Sequence, residues 1–359
     1  MIYQILKPLL FRIEPERAHE LAAGMLAAAA GTPIAREVIS AVFAWDDPIL
    51  ASECFGLPFA NPIGLAAGFD KQAVLVEGMG RIGFGHVEVG TVTPRPQPGN
   101  PRPRMFRLPE DQALINRLGF NSPGMAAVGV RLERLHALPR RPVIGVNIGK
   151  NRDTPLERAT EDYLAAFTAL APYADYVAVN ISSPNTPGLR ALHERHALED
   201  LLGTLRSANT RMARPVPILL KVSPDEGSAI REVIEVGLAM EIAGVIATNT
   251  TLARDGLRGA AANEVGGLSG RPLAPKSVAV VGEITALLNG QIPLIAVGGV
   301  SSAEDAYARI RNGASLVQLY TALVYEGPWL IQQIKQGLAK LLRRDNYPNL
   351  SAAVGSLRV

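Results

Sequence analysis

Eight short apolar runs, each closing on small or polar residues and most separated from the next by a helical stretch, constrain this chain more than any other feature. The runs fall at 62–67, 86–91, 142–148, 176–181, 217–222, 244–249, 293–298 and 316–320. Most are continuously apolar rather than alternating, the pattern of parallel strands buried on both faces. Helical periodicity fills 123–138, 157–173, 196–211, 226–240, 276–289, 302–312 and 328–343. Eight strands in a βα rhythm over some three hundred residues predict an α/β fold, a (β/α)₈ TIM barrel, with a doubly wound sheet as the alternative. Thr93 to Arg107, rich in Pro and Arg, reads as a long loop after the second strand.

The first 45 residues have another character. Helices are expected over 3–13, 15–30 and 34–43, with Pro15 suited to a first turn and Gly31-Thr32-Pro33 breaking the second helix. Leu6, Leu9, Leu10 and Ile13 share one face, as do Leu21, Met25 and Ala28. Asp46-Asp47-Pro48 punctuates the chain. The expected division is a helical segment at 1–45, a barrel at 46–343 and a flexible, polar tail at 344–359. No apolar run approaches the roughly 20 residues that a membrane-crossing helix needs, and the start lacks the order of a signal peptide.

Chemistry collects at the strand ends: Ala66-Ala67-Gly68, Gly90-Thr91, Asn147-Ile148-Gly149, Asn180 to Ser183, Lys221-Val222-Ser223, Thr248-Asn249-Thr250, Gly298-Gly299 and Tyr320-Thr321. In a barrel all of these face one mouth. Each alone could cap the following helix. Together they place carboxamides and an amine where burial without partners would cost several kcal/mol, and a bound polar ligand would pair them. The glycines after the seventh run, with Gly266 to Gly270, fit a phosphate. No GxGxxG opens a helix after a strand, so a mononucleotide fits better than a dinucleotide. Lys221 lies inside the apolar run Ile218 to Val222 and needs an anionic partner. It could stabilise a reduced flavin, form a Schiff base or serve a structural ion pair.

Composition excludes several classes. The formal charge is +3 and no nucleic-acid signature is present. The single cysteine, Cys54, permits neither an internal disulfide nor a cysteine-held cluster, which fits an intracellular protein. His193 and His196 have helical spacing, but no motif completes a zinc site, and no metal is expected.

Quoted in order, these segments resemble the dihydroorotate dehydrogenases. They are Leu65 to Lys71, Val89 to Pro94, Ile115 to Asn121, Val179 to Gly188, Thr248 to Thr251, Gly266 to Gly270, Gly298-Gly299 and Tyr320-Thr321, and the likeness runs from about residue 45 to 343. Ser183, where the soluble class carries a cysteine, and the N-terminal helices point to the quinone-reducing class. The resemblance implies FMN as cofactor, held by Ala67, Gly68, Phe69, Asp70, Lys71, Thr91, Asn147, Asn180, Lys221, Thr248, Gly270, Gly299, Tyr320 and Thr321. It implies dihydroorotate at Lys71, Asn116, Arg117, Leu118, Gly119, Phe120, Asn180, Asn185, Asn249 and Thr250.

Ser183 would take a proton from the substrate, helped by a relay the sequence does not show, and Lys221 would stabilise the reduced flavin. A membrane quinone would accept the electrons near His19 and Arg107, and the helices would hold the protein peripherally on the cytoplasmic side of the inner membrane. The rivals are another FMN barrel, a Schiff-base lyase using Lys221 and a phosphate-ligand sensor.

Overall fold

The computed structural model describes residues 2–185 and 189–358. Thr186, Pro187 and Gly188, which belong to the motif after the fourth apolar run, lie outside the described residues. The eight runs form a closed parallel barrel in chain order. Its strands one to eight are Ile63–Asp70, His86–Val92, Val143–Ile148, Tyr176–Asn180, Ile218–Val222, Gly244–Ala247, Leu294–Val297 and Leu316–Leu319. Strand eight closes on strand one through Leu319 opposite Leu65. The doubly wound alternative is thereby excluded.

Both faces of these strands are buried, which explains their continuous apolar character. Val177 and Val179 point outward into the layer shared with the helices. Tyr176 and Ala178 point inward, with Leu219, Ile246, Ile295 and Leu316. Gly145 makes room for the Tyr176 ring: a Cβ there would stand 2.0 Å from Tyr176 Cζ. A hairpin of Ser52–Cys54 and Leu57–Phe59 closes the barrel bottom, with Cys54 and Phe59 in the interior cluster.

Three segments outside the barrel shape its mouth. Met105–Leu108, Ala113–Asn116 and Gly267–Gly270 form an antiparallel sheet joining the loop after strand two to the loop after strand six. The expected loop from Thr93 to Arg107 therefore ends in a strand. Its apolar residues pair in a ladder that the Pro-rich composition upstream hides.

Helices α1 (Ile2–Leu10), α2 (Pro15–Ala30) and α3 (Pro33–Phe43) follow the expected order. The Glu14 carboxylate caps α2, accepting from the Glu16 and Arg17 N–H groups, and Pro15 opens the first turn. α2 and α3 meet at 109°. Both pack on the helix Val76–Ile82 after strand one, where Gly78 leaves room for Leu26. Among the described residues no single helix is long and apolar enough to cross a membrane.

The C-terminal segment departs from the expected flexible tail. Leu350–Ala353 is helical, its first turn capped by Asn349 Oδ1 accepting from the Ala352 N–H at 2.9 Å. Leu350 and Ala353 are fully buried in the main core, and the Gly355 N–H donates to the Ile310 carbonyl at 3.0 Å. Two apolar anchors outweigh the polar composition around them. Leu350→Ala is expected to lower stability by about 2–5 kcal/mol, read as a shifted denaturant midpoint at unchanged slope; a surface-like change below 0.5 kcal/mol would show that the segment is not docked.

Candidate active site

The strand ends converge on one cavity at the C-terminal mouth. Its wall includes Ala67, Gly68, Lys71, Thr91, Asn116, Leu118, Gly119, Phe120, Asn180, Ser183, Asn185, Lys221, Thr248, Asn249, Thr250, Gly270, Gly299, Tyr320 and Thr321. The barrel supplies most of these. The small sheet supplies Asn116 and Gly270, and Ser269, whose hydroxyl accepts from Thr321 Oγ1 at 2.8 Å.

A hydrogen-bonded chain of side chains runs round the cavity. Thr91 Oγ1 donates to Asn147 Oδ1 at 2.5 Å and accepts from Asn180 Nδ2 at 3.0 Å. Asn249 Nδ2 donates to Asn180 Oδ1 at 3.3 Å and to Ser182 Oγ at 3.1 Å. Asn185 Nδ2 donates to the Asn116 carbonyl at 3.1 Å. Ser183 is buried, and its Oγ accepts from the Asn185 N–H at 3.3 Å. Asn147 is not itself part of the wall; it stands behind Thr91 and Asn180.

Lys71 lines the cavity and makes no hydrogen bond among the described residues. Burial brings its ammonium down to about 8, against the opposing pull of Glu16. At the phosphate-like corner, Gly298 and Gly299 have φ of +114° and +71°, a backbone that glycine adopts freely. Arg309 is buried behind them and donates to the Gly298 carbonyl at 2.9 Å, holding the turn.

Several expected residues lie elsewhere. The Asp70 carboxylate is turned into its own loop, accepting from the N–H groups of Gln72, Val74 and Leu75. Arg117 points away from the cavity, its guanidinium on Glu264 at 2.6 Å and over the Phe106 ring. Phe69 stands between His19 and Tyr320, with ring centroids 4.7 and 5.1 Å away. His19 is thus one ring removed from the wall, and burial lowers it to about 4, keeping it neutral at pH 7. Arg107 donates to the Ile13 carbonyl at 2.8 Å and lies over Phe11. The two residues expected near a quinone sit where α1 and α2 meet the mouth.

Two buried residues escaped the sequence reading. Glu88, in strand two, accepts from Lys221 Nζ at 3.0 Å and from Asn147 Nδ2 at 2.8 Å. Gln318, in strand eight, donates to Glu88 at 2.8 Å, and its Oε1 is buried at the wall with no hydrogen-bond partner among the described residues. The ion pair of Lys221 with Glu88 gives the lysine the anion it requires. A charged residue inside an apolar run singled out Lys221, and the same signal marks Glu88 within His86-Val87-Glu88-Val89.

A closed barrel with carboxamides, hydroxyls and an amine at its mouth, beside glycine turns suited to an anion, defines a ligand-binding site of the kind enzymes build on this scaffold. The dihydroorotate dehydrogenase family profile matches residues 49–342. The chain is 60% identical over 356 residues to the dihydroorotate dehydrogenase (quinone) of Roseiflexus castenholzii, covering 99% of this chain and 96% of that one. It is 49% identical over 366 residues to the enzyme of the same name from Acidithiobacillus ferrooxidans, covering 99% of each. The ligand-free crystal structure of the Eimeria tenella dihydroorotate dehydrogenase superposes with a TM-score of 0.89 at 38% identity, covering 95% of this chain and 99% of that one. The chain belongs to the dihydroorotate dehydrogenase family.

Proposed function

We propose that this protein oxidises dihydroorotate to orotate, a step of pyrimidine biosynthesis, with FMN as its cofactor and a quinone as final electron acceptor. The observation that carries the reading is the convergence of Ser183, Lys71 and four asparagines on one cavity. Dihydroorotate is a cyclic imide bearing a carboxylate. Carboxamides offer both donors and acceptors to an imide edge, and an ammonium suits a carboxylate. Asn116, Asn180, Asn185 and Asn249 would orient the ring, with Thr250 beside them and Lys71 on the carboxylate. Leu118, Gly119 and Phe120 would close over it.

The wall also fits FMN. Gln318 Oε1 awaits a donor, Gly68 presents backbone without a side chain opposite Tyr320, and the Gly298-Gly299 turn offers N–H groups to a phosphate. Ala67, Gly68, Thr91, Asn180, Lys221, Thr248, Gly270, Gly299, Tyr320 and Thr321 would hold the group, with Asn147 behind them. When bound, FMN supplies the acceptor for the hydride that leaves substrate C6. Ser183 Oγ accepts the C5 proton, and the buried wall excludes water from the exchange. A hydroxyl is a weak base, so Ser183 passes its own proton onward through a relay. Lys221 supplies positive charge where negative charge builds.

Support for the quinone and the membrane comes from α1 to α3. Ile5, Leu6, Leu9, Leu21, Met25, Ile34, Val38 and Val42 are all exposed there, more apolar surface than a short solvated segment normally shows. This face would rest on the inner side of the cell membrane and admit the quinone toward His19 and Arg107. Flotation with anionic lipid vesicles is expected for the full chain and to weaken when Leu9, Met25 and Val38 are changed together to Glu; equal flotation would place the contact elsewhere.

The deciding experiment is anaerobic. Dihydroorotate should bleach the flavin band of the purified protein, and a soluble quinone should restore it. A protein that stays without a flavin band after incubation with FMN would overturn the reading; a band that dihydroorotate leaves untouched would reject the substrate.

Lys71 sets the alkaline limb. With its ammonium at about 8 in the free protein, the charge that receives the carboxylate is present below pH 8 and lost above it. The value of kcat/KM should fall by about tenfold per pH unit well above that point, and Lys71→Arg should move the fall to higher pH. A profile flat to pH 10 in both proteins would show that no lowered Lys71 ammonium sets the alkaline limb.

A further inference from the structure

Glu88 takes no part in the steps above, yet it is the most deeply placed charge beneath the cavity, with no exposed surface. It points into the barrel from strand two. One oxygen, Oε1, accepts from Lys221 of strand five and Asn147 of strand three. The other, Oε2, accepts from Gln318 of strand eight. Lys221 and Gln318 reach the cavity directly, and Asn147 reaches it through Thr91 and Asn180.

A carboxylate in this position costs several kcal/mol of desolvation, and an apolar filling would serve stability as well or better. Its partners, however, are the polar side chains that the ligand meets. We infer that Glu88 is a positioning residue: it orients Lys221 and Asn147 toward the cavity and offsets the lysine charge, so that the bound flavin faces a partly cancelled cation. The inference rests on the flavin reading above.

The test uses the flavin-loaded protein and sulfite, which adds to flavins and leaves negative charge on the ring. Its dissociation constant follows from the loss of visible absorbance and requires no turnover. Glu88→Gln keeps the shape and removes the charge, and the Gln318 amide, with a free Oε1, can turn to receive the new N–H. Sulfite should then bind about tenfold more tightly or better, since one negative charge has left a low-dielectric site. Glu88→Asp, which keeps the charge, should stay within about threefold of the parent.

A second comparison guards against poor folding of the single variant. Lys221→Gln removes the positive charge beside Glu88 and should weaken sulfite binding, whereas the double change Lys221→Gln with Glu88→Gln leaves a neutral pair and should recover at least about tenfold of that loss. Unchanged or weaker sulfite binding in Glu88→Gln, or a double variant no better than Lys221→Gln, overturns the inference and leaves the flavin reading intact. A parent protein that takes up no flavin overturns both.

Discussion

Ser183→Ala is expected to slow flavin bleaching by dihydroorotate by about 10²- to 10⁴-fold, the usual contribution of a positioned base. Flavin content should stay at the parent level, because the proposed role of the serine is toward the substrate and, among the described residues, its hydroxyl bonds to the Asn185 N–H alone. The neighbouring hydroxyl cannot replace it. Ser182 is fully buried and its Oγ is engaged by Asn249 Nδ2. Stopped-flow absorbance under anaerobic conditions separates this chemical step from quinone reduction. A parent-like rate in Ser183→Ala would mean that the proton leaves by another group.

The second large effect concerns stability. Arg104 and Glu16 form a buried pair, each side chain 6% exposed, joined at 2.7 Å and by two further bonds from Arg104 Nε. Burial alone would raise the Glu16 carboxyl, but the Arg104 hydrogen bonds and charge overcome this and hold it below its ordinary range. Glu16→Gln keeps the volume and strands a buried guanidinium, at a cost of about 3–5 kcal/mol. Because Glu16 belongs to α2 and Arg104 to the segment entering the mouth sheet, the loss should appear first as release of the N-terminal helices. Proteolysis within residues 14–45 should precede global unfolding. Loss of less than 1 kcal/mol with unchanged proteolysis would show that apolar packing alone docks α2.

The barrel was legible because each strand is a compact apolar run and parallel burial makes such runs continuous. Smaller elements were hidden for identifiable reasons. The helix Val76–Ile82 carries Gly78 and Gly80, which lower helical preference and are there for close packing against Leu26 and Pro142. Gly267–Gly270 has two glycines in four residues and becomes a strand only because Ala113–Asn116 lies beside it. Segment likeness also does not resolve single side chains. Asp70 and Arg117 sit within segments that reach the cavity, yet one is spent on loop N–H groups and the other on Glu264. The buried anion beneath Lys221 could be anticipated as a need, but its identity came from the geometry of strand two.

The three-stranded sheet over the mouth carries a consequence for how the molecule comes to be folded. Its outer strands lie far apart in the chain, one after the second barrel strand and the other after the sixth. The ladder of Gly267–Gly270 on the central strand Ala113–Asn116 closes a long loop, and such closure is slow and entropically costly unless the intervening chain is already compact. The barrel wall therefore precedes its cover. During refolding, secondary structure should return before Asn116, Ser269 and Gly270 are brought to the same cavity, so a nearly complete barrel passes through a stage in which it has walls and a floor but no roofed chamber for a ligand.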